Sequence, residues 1–291
     1  MGRPNVGKST LLNRLLGQKL AIVSHKPQTT RGRILGIVTR EDAQVALLDT
    51  PGIHEAKGGL NVRMVQSALQ TLAGADVALF LIEAGQKSID PATMRVLEQV
   101  RAANKPTLLV INKVDTVPRP ALLPLIGQWK DQHPWTEVYP LSALTGENVD
   151  AFLDVVAKYL PEAPNLFDPE QWTDLDERTL CAELIREQLL KQTAQEVPYS
   201  TAVQIEEFDE SQRTTGRRGL VRMHATIIVE RDSQKAIVIG KGGARLKEIG
   251  TRARKEMERL LGAKVYLEIH VKVEPDWTHS EKGLRKAGYE G

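Results

Sequence analysis

Short apolar runs alternate with amphipathic stretches through the first 160 residues. Residues 44–49 (QVALLD), 76–82 (DVALFLI), 107–112 (TLLVIN) and 137–141 (EVYPL) read as strands. The second and third are nearly unbroken apolar runs, the pattern of strands buried on both faces of a parallel sheet. Residues 62–73 and 91–103 carry helical periodicity. This alternation predicts an α/β domain with a mostly parallel open sheet and right-handed crossovers. Residues 159–172 (YLPEAPNLFDPEQW) hold three prolines and read as a linker or an ordered crossover. The order then changes. A helix near 176–195, strands near 200–208 and 220–230, a helix over 244–261 and a last strand at 264–273 predict an α+β unit. The expected organisation is a first domain over 1–160, a linker over 161–175 and a second domain with a C-terminal tail over 176–291.

Charge separates along the same line. Of 39 basic and 37 acidic residues, 18 and 10 lie in 212–291, which leaves 21 and 27 before them. The C-terminal part is therefore basic and the rest acidic, which puts a polyanionic partner at the C-terminus. No run of eighteen apolar residues suggests a membrane span, and the start lacks the basic-then-apolar order of a secretory signal. Cys181 is the only cysteine, which excludes a disulfide framework and a cysteine-rich metal site. The six histidines show no ligand spacing, and His270 reads as structural. Trp129, Trp135, Trp172 and Trp277 read as packing or linker anchors. A cytoplasmic protein is expected.

The first chemical signature is GRPNVGKS, residues Gly2, Arg3, Pro4, Asn5, Val6, Gly7, Lys8 and Ser9, which match G-x-x-x-x-G-K-[ST]. Glycines let the backbone N–H groups wrap a phosphate. Lys8 then reaches the β- and γ-phosphates, Ser9 ligates Mg²⁺, and the helix that starts here, with Thr10 in its first turn, adds its positive end. A buried strand should precede such a loop and aim it. Here only Met1 precedes Gly2. A shortened chain, a misplaced start and a damaged nucleotide site all fit that, so a non-catalytic RNA-binding fragment stays open as the alternative.

Further signatures follow strands in order. Asp49, Thr50, Pro51 and Gly52 (DTPG) place a carboxylate where it can hold Mg²⁺ through water, and a Gly52 N–H where it can sense a γ-phosphate. Asn112, Lys113 and Asp115 belong to NKVD, and Asp115 can accept two hydrogen bonds from guanine N1 and its exocyclic amine. Adenine offers no such pair, which argues against an ATP-using kinase or ATPase. Ser142, Ala143 and Leu144 (SAL) follow the next strand and would support the base through a backbone N–H. Each element sits at the C-terminal end of a strand, where open α/β sheets bind ligands. In the polar segment QTTRGR (28–33), Thr30 is the first choice and Thr29 the second for completing Mg²⁺ coordination. Lys8, Thr30 and Gly52 are the residues expected to act in catalysis.

Near the C-terminus, VIGKGG (238–243) sits between an apolar strand and an amphipathic helix and contains a G-x-x-G loop, Gly240, Lys241, Gly242 and Gly243. Such a loop lets RNA phosphates approach the backbone, with Lys241 and Arg245 adding charge. The helix places Leu246, Ile249, Ala253, Met257 and Leu260 on one face. It carries Lys247, Arg252, Arg254, Lys255 and Arg259 as basic residues. Ile237, Ile239 and Leu246 are expected to pack the core or line a base groove.

The ordered set GRPNVGKS, QTTRGR, DTPG, NKVD and SAL resembles the translation-factor-related P-loop GTPases. Within them the chain resembles the Era family of bacterial ribosome-assembly GTPases over nearly its whole length, and residues 176–275 resemble a KH domain. The resemblance implies a GTP- and GDP-binding switch that hydrolyses GTP with Mg²⁺. It also implies binding to the 3′ end of small-subunit ribosomal RNA in ribosome biogenesis, a monomeric state, and peripheral attachment to the inner face of the membrane. After DTPG stands Ile53, where Ras-like proteins have the glutamine that orients water, so intrinsic turnover is expected to be slow. His54 follows, at a position expected to be a flexible switch. In similar GTPases an asparagine in the cradle, here Asn5, helps hold a K⁺ ion.

Overall fold

A computed structural model describes residues 1–24, 26, 29–52, 59–193, 197–213 and 219–286. Gln28, Ile53 and His54 lie outside the described residues. The chain divides into two compact units, residues 1–56 with 64–174 and residues 57–63 with 175–291.

In the first unit, α1 (Lys8–Leu16) rises directly from the glycine-rich loop, and β1 (Ile34–Thr39) and β2 (Gln44–Asp49) form an antiparallel pair with Ile34 opposite Asp49. Then come α2 (Gly59–Gly74), β3 (Ala78–Glu83), α3 (Pro91–Ala103), β4 (Thr107–Asn112), α4 (Leu122–Lys130), β5 (Glu137–Pro140) and α5 (Phe152–Ala157). β3, β4 and β5 make a parallel three-stranded sheet in that order. All six residues of β4 are buried, as its unbroken apolar run requires. The α3 start is set by Asp90, whose carboxylate accepts from Thr93 N, followed by Pro91 at the first helical position. Phe80, Trp129 and Trp135 stack into one aromatic cluster against this sheet, with Phe80 centroids 5.6 Å from each indole.

β1 was not expected from the sequence. Gly36 interrupts its apolar run, and a Cβ there would stand 2.7 Å from Leu16 Cδ1 and 2.8 Å from Leu12 Cδ1. The glycine lets α1 pack directly on the strand, a reason invisible without the packing partner.

Among the described residues the two sheets do not join. Between β2 and β3 lies a largely apolar cavity of about 310 Å³, lined by Leu12, Leu47, Leu79, Leu81 and their neighbours. Met1 and Gly2 hold one end of it in parallel with β3. The Met1 amino group donates to Leu79 O at 2.6 Å, Leu81 N donates to Met1 O at 2.9 Å, and Gly2 bridges Leu81. These two residues stand where the strand ahead of the loop was expected.

The proline-rich segment is fastened to the first unit. Gln44 Oε1 accepts from Leu166 N and Phe167 N at 2.9 Å each, and Ile37 N donates to Trp172 O at 2.9 Å. Thr173 Oγ1 donates to Leu35 O at 2.7 Å, and Arg33 pairs with Asp174 at 2.6 Å. Prolines break regular structure, but the segment's polar groups still find partners along β1 and β2.

The second unit opens with α6 (Glu177–Gln192), capped by Asp176, whose carboxylate accepts from Thr179 N at 2.7 Å. β6 (Ala202–Gln212), β7 (Leu220–Val229), α7 (Asp232–Ile239), α8 (Ala244–Leu261), β8 (Lys264–Val273) and α9 (Glu281–Lys286) follow. The sheet order is β6-β7-β8, antiparallel then parallel. Its core joins Cys181, Ile185 and Leu189 of α6 with Met223, Ala225 and Ile227 of β7 and Ile249, Ala253 and Met257 of α8. Residues 232–239 correct the reading of a strand running up to the G-x-x-G loop: the apolar run AIVI is the end of α7. Gln234 makes the difference, accepting from Glu230 N and Arg231 N to close the first turn. Burial pushes the Cys181 thiol up to about 12, which removes it from thiolate chemistry at neutral pH. Trp277 is fully buried and its indole N–H donates to Ser200 O at 3.0 Å. Among the described residues, no helix is long and apolar enough to cross a membrane.

Candidate nucleotide site and RNA groove

The glycine-rich loop takes backbone conformations that only its own residues reach easily. Gly2, Asn5 and Gly7 have φ of +149°, +68° and +98°. A Cβ on Gly7 would stand 2.2 Å from Asn112 Nδ2, and one on Gly2 would stand 2.7 Å from Leu81 O. Val6 is buried beneath the loop and Thr10 is half-buried in the first turn of α1. Lys8 Nζ donates to Gly2 O at 3.1 Å and Arg3 O at 3.0 Å, so the ammonium lies across the cradle. Burial pushes its pKa below the usual lysine value, with Asp49 opposing. Arg3 turns outward to Asp90 at 2.8 Å, and Pro4 packs under Gly52, where a Cβ would come within 3.0–3.1 Å of the proline.

Three oxygens converge beside the cradle. Ser9 Oγ donates to Asp49 Oδ2 at 2.6 Å, Thr30 Oγ1 donates to the same atom at 3.1 Å, and the two hydroxyls are 3.1 Å apart. Asp49 Oδ1 is buried with no hydrogen-bond partner. Hard oxygen donors around an unsatisfied carboxylate suit Mg²⁺, and Ser9, Thr30 and Asp49 would hold it. Such an ion neutralises charge on the β- and γ-phosphate oxygens. Thr29 points away, its hydroxyl donating to Lys26 O at 2.7 Å. Thr50 and Pro51 are buried behind Asp49. Asn5 is exposed at the rim.

The base end is organised by Asn112, which is fully buried. Its Nδ2 donates to Val6 O at 2.8 Å, and its Oδ1 accepts from Lys113 N at 2.8 Å and Ala143 N at 2.9 Å. One side chain thus ties the phosphate loop, the end of β4 and the 142–144 loop together. Ser142 Oγ donates to Asp115 Oδ1 at 2.5 Å, leaving Oδ2 for a ligand. Leu144 is 69% exposed at the loop's tip. Sequence reasoning missed Glu83, which pairs with Lys113 at 2.5 Å. Its place at the end of β3, one strand over from NKVD in register with Asn112, could have pointed to it.

In the second unit, Gly240, Gly242 and Gly243 all have positive φ, at +71°, +59° and +78°. A Cβ on Gly240 would stand 2.8 Å from Arg245 Cβ, so the loop's first glycine is required by the start of α8. Lys241 is exposed, and the Arg245 guanidinium donates to Ile237 O. Beside the loop, α8 and the edge strand β8 enclose a groove of about 400 Å³. Leu246, Leu267 and Ile269 line it together with Lys247, Thr251, Arg254 and Glu268. Ile239 and Leu246 pack against the core as expected, whereas Ile237 is 40% exposed and does not pack against it. Among the described residues, no group of three or more histidine, cysteine, aspartate or glutamate side chains could hold a metal ion.

Comparison with known proteins bears on both sites. Residues 1–113 match the 50S ribosome-binding GTPase family, and residues 196–278 match the KH domain family. The GTPase Era of Syntrophus aciditrophicus is 47% identical over 289 residues, covering 99% of this chain and 93% of that protein. That of Geobacter metallireducens is 49% identical, covering 99% and 95%. Among solved structures, Era in complex with MgGDPNP and nucleotides 1506–1542 of 16S ribosomal RNA superimposes with a TM-score of 0.94 at 45% identity, covering 100% of this chain and 97% of that one. Aquifex aeolicus Era bound to GDP·AlF4⁻ gives 0.93 at 44% identity with the same coverage. A non-catalytic RNA-binding fragment finds no support among relatives that are GTPases along the whole of this length. With close to half its residues shared from end to end, and with a P-loop nucleotide domain followed by a KH domain, the chain belongs to the Era family of GTPases.

Proposed function

We propose that this chain binds GTP and GDP with Mg²⁺, hydrolyses GTP, and uses its KH groove to hold single-stranded RNA at the 3′ end of the small-subunit ribosomal RNA during subunit maturation. The convergence of the Ser9 and Thr30 hydroxyls on Asp49 Oδ2, beside a buried Oδ1 with no hydrogen-bond partner, carries the nucleotide half. In this reading Lys8 leaves the carbonyls of Gly2 and Arg3 for the β- and γ-phosphates, and the Gly52 N–H senses the γ-phosphate. Asp115 reads guanine. The RNA half is supported by the positive-φ glycine loop beside a groove that Lys247 and Arg254 help to line, and by the 16S RNA held in the similar Era structure. Work as a cytoplasmic monomer, with peripheral attachment to the inner membrane face, is carried by the family resemblance.

The test is titration of GDP and of a single-stranded RNA matching the rRNA 3′ end against the whole chain, with and without Mg²⁺. Micromolar or tighter binding of both is expected, and absence of GDP binding would remove the nucleotide half. Gly242→Asp separates the two sites. Its φ of +59° suits aspartate, and a side chain there meets nothing within 4 Å. The added charge should weaken RNA binding about tenfold or more and leave GDP affinity unchanged. Loss of both would mean that the substitution acts through the fold.

Ile53 cannot polarise water, so hydrolysis rests on positioning and cations. Asn5 at the cradle's rim is proposed to help hold K⁺ in the role of an arginine finger. Hydrolysis is then expected to be faster in KCl than in NaCl at equal ionic strength, and Asn5→Ala should abolish the difference. Equal rates in the two salts would remove this role.

A further inference from the structure

The nucleotide motifs give Arg14 no role. It lies in the last turn of α1, six residues beyond Lys8. Its Nε donates to Ala143 O at 3.2 Å, and its Nη2 donates to Leu144 O. Gly146, with φ +91°, lies against the same guanidinium, 3.6 Å from Nη1 to where its Cβ would be. One cation therefore spans two successive carbonyls of the 142–144 loop, a geometry suited to a planar, fixed fork and not to a single ammonium. The loop's other side faces the base pocket. There the Ala143 N–H donates to Asn112, and the Ser142 hydroxyl donates to Asp115.

We propose that Arg14 is a positioning residue for guanine recognition. By holding the loop through its carbonyls, it sets where Ser142 stands, and Ser142 in turn sets the rotamer of Asp115. The rise of a helix places Arg14 about 9 Å along α1 from Lys8. The same rigid element thus fixes the separation between the phosphate cradle at its start and the base-reading loop at its end. This rests on the guanine-binding reading above.

The test compares the parent chain with Arg14→Gln and Arg14→Lys in GDP and IDP titrations. Hypoxanthine lacks the exocyclic amine, so the GDP-to-IDP affinity ratio reports how well Asp115 is aligned. Arg14→Gln is expected to weaken GDP binding about tenfold, chiefly through faster release, and to lower that ratio. Arg14→Lys, which keeps one carbonyl contact, should recover part of both. Combined with Ser142→Ala, Arg14→Gln should add little, because both act through the same loop. A GDP affinity within twofold of the parent, or equal losses for GDP and IDP, would overturn the proposal. A parent chain that binds no GDP would instead defeat the guanine reading itself.

Discussion

Asp115→Asn is expected to weaken GDP binding by about a hundredfold or more and to turn the site toward XDP. The carboxylate has one oxygen committed to Ser142, which leaves the other to accept from a ligand. Guanine presents two donors there, N1–H and the exocyclic amine. An asparagine can still accept from Ser142, so the fold should be unaffected. It then sets its own amide N–H against guanine's donors, and a buried donor pair left unmatched costs on the order of 1–3 kcal/mol per group. Xanthine carries a carbonyl where guanine carries the amine, and it accepts from the new amide. Parallel titrations with fluorescent GDP and XDP decide the matter. Unchanged GDP affinity would take Asp115 out of the base pocket, and a loss without a gain for XDP would point to disruption of the loop.

The second large effect concerns stability. A five- or six-residue apolar, β-branched extension placed ahead of Met1 should raise the melting temperature by on the order of 5–10 °C. The slot between β2 and β3 has a volume of about 310 Å³ and an apolar lining, and Met1 already pairs in parallel with Leu79 and Leu81 at its end. At roughly 24 cal/mol per Å³, filling it contributes at most about 7 kcal/mol. Ordering the added residues takes back much of that, and hydrogen bonds to two strand edges tip the balance toward stability. GDP affinity should rise as well, because the new strand would run straight into Gly2 and stiffen the loop. Calorimetry with a proline-containing extension as control tests this. An identical melting temperature for the two extensions would mean that the slot takes no strand.

The sequence by itself determined the chemistry of the nucleotide site. Phosphate wrapping needs glycines at fixed spacing and an adjacent lysine, and guanine reading needs a carboxylate after a buried strand. Both requirements are local, so GRPNVGKS, DTPG and NKVD could be read in order from the chain. The parallel strands were legible for the same reason, since burial on both faces leaves an unbroken apolar run in 107–112. The G-x-x-G loop and the amphipathic α8 also announced themselves.

Tertiary structure decided what depends on partners distant in the chain. β1 escaped notice because Gly36 serves Leu12 and Leu16 of a helix twenty residues and more earlier. The proline-rich segment became part of the first unit through bonds to Gln44 and Leu35, residues more than a hundred positions away. α7 emerged from a run of apolar residues too short for periodicity to separate helix from strand. The roles of Glu83 and Arg14 were hidden for one common reason. A charged residue on a helix or at a strand end looks like ordinary surface until the fold shows which lysine or carbonyl it faces, and sequence spacing carries no information about that distance.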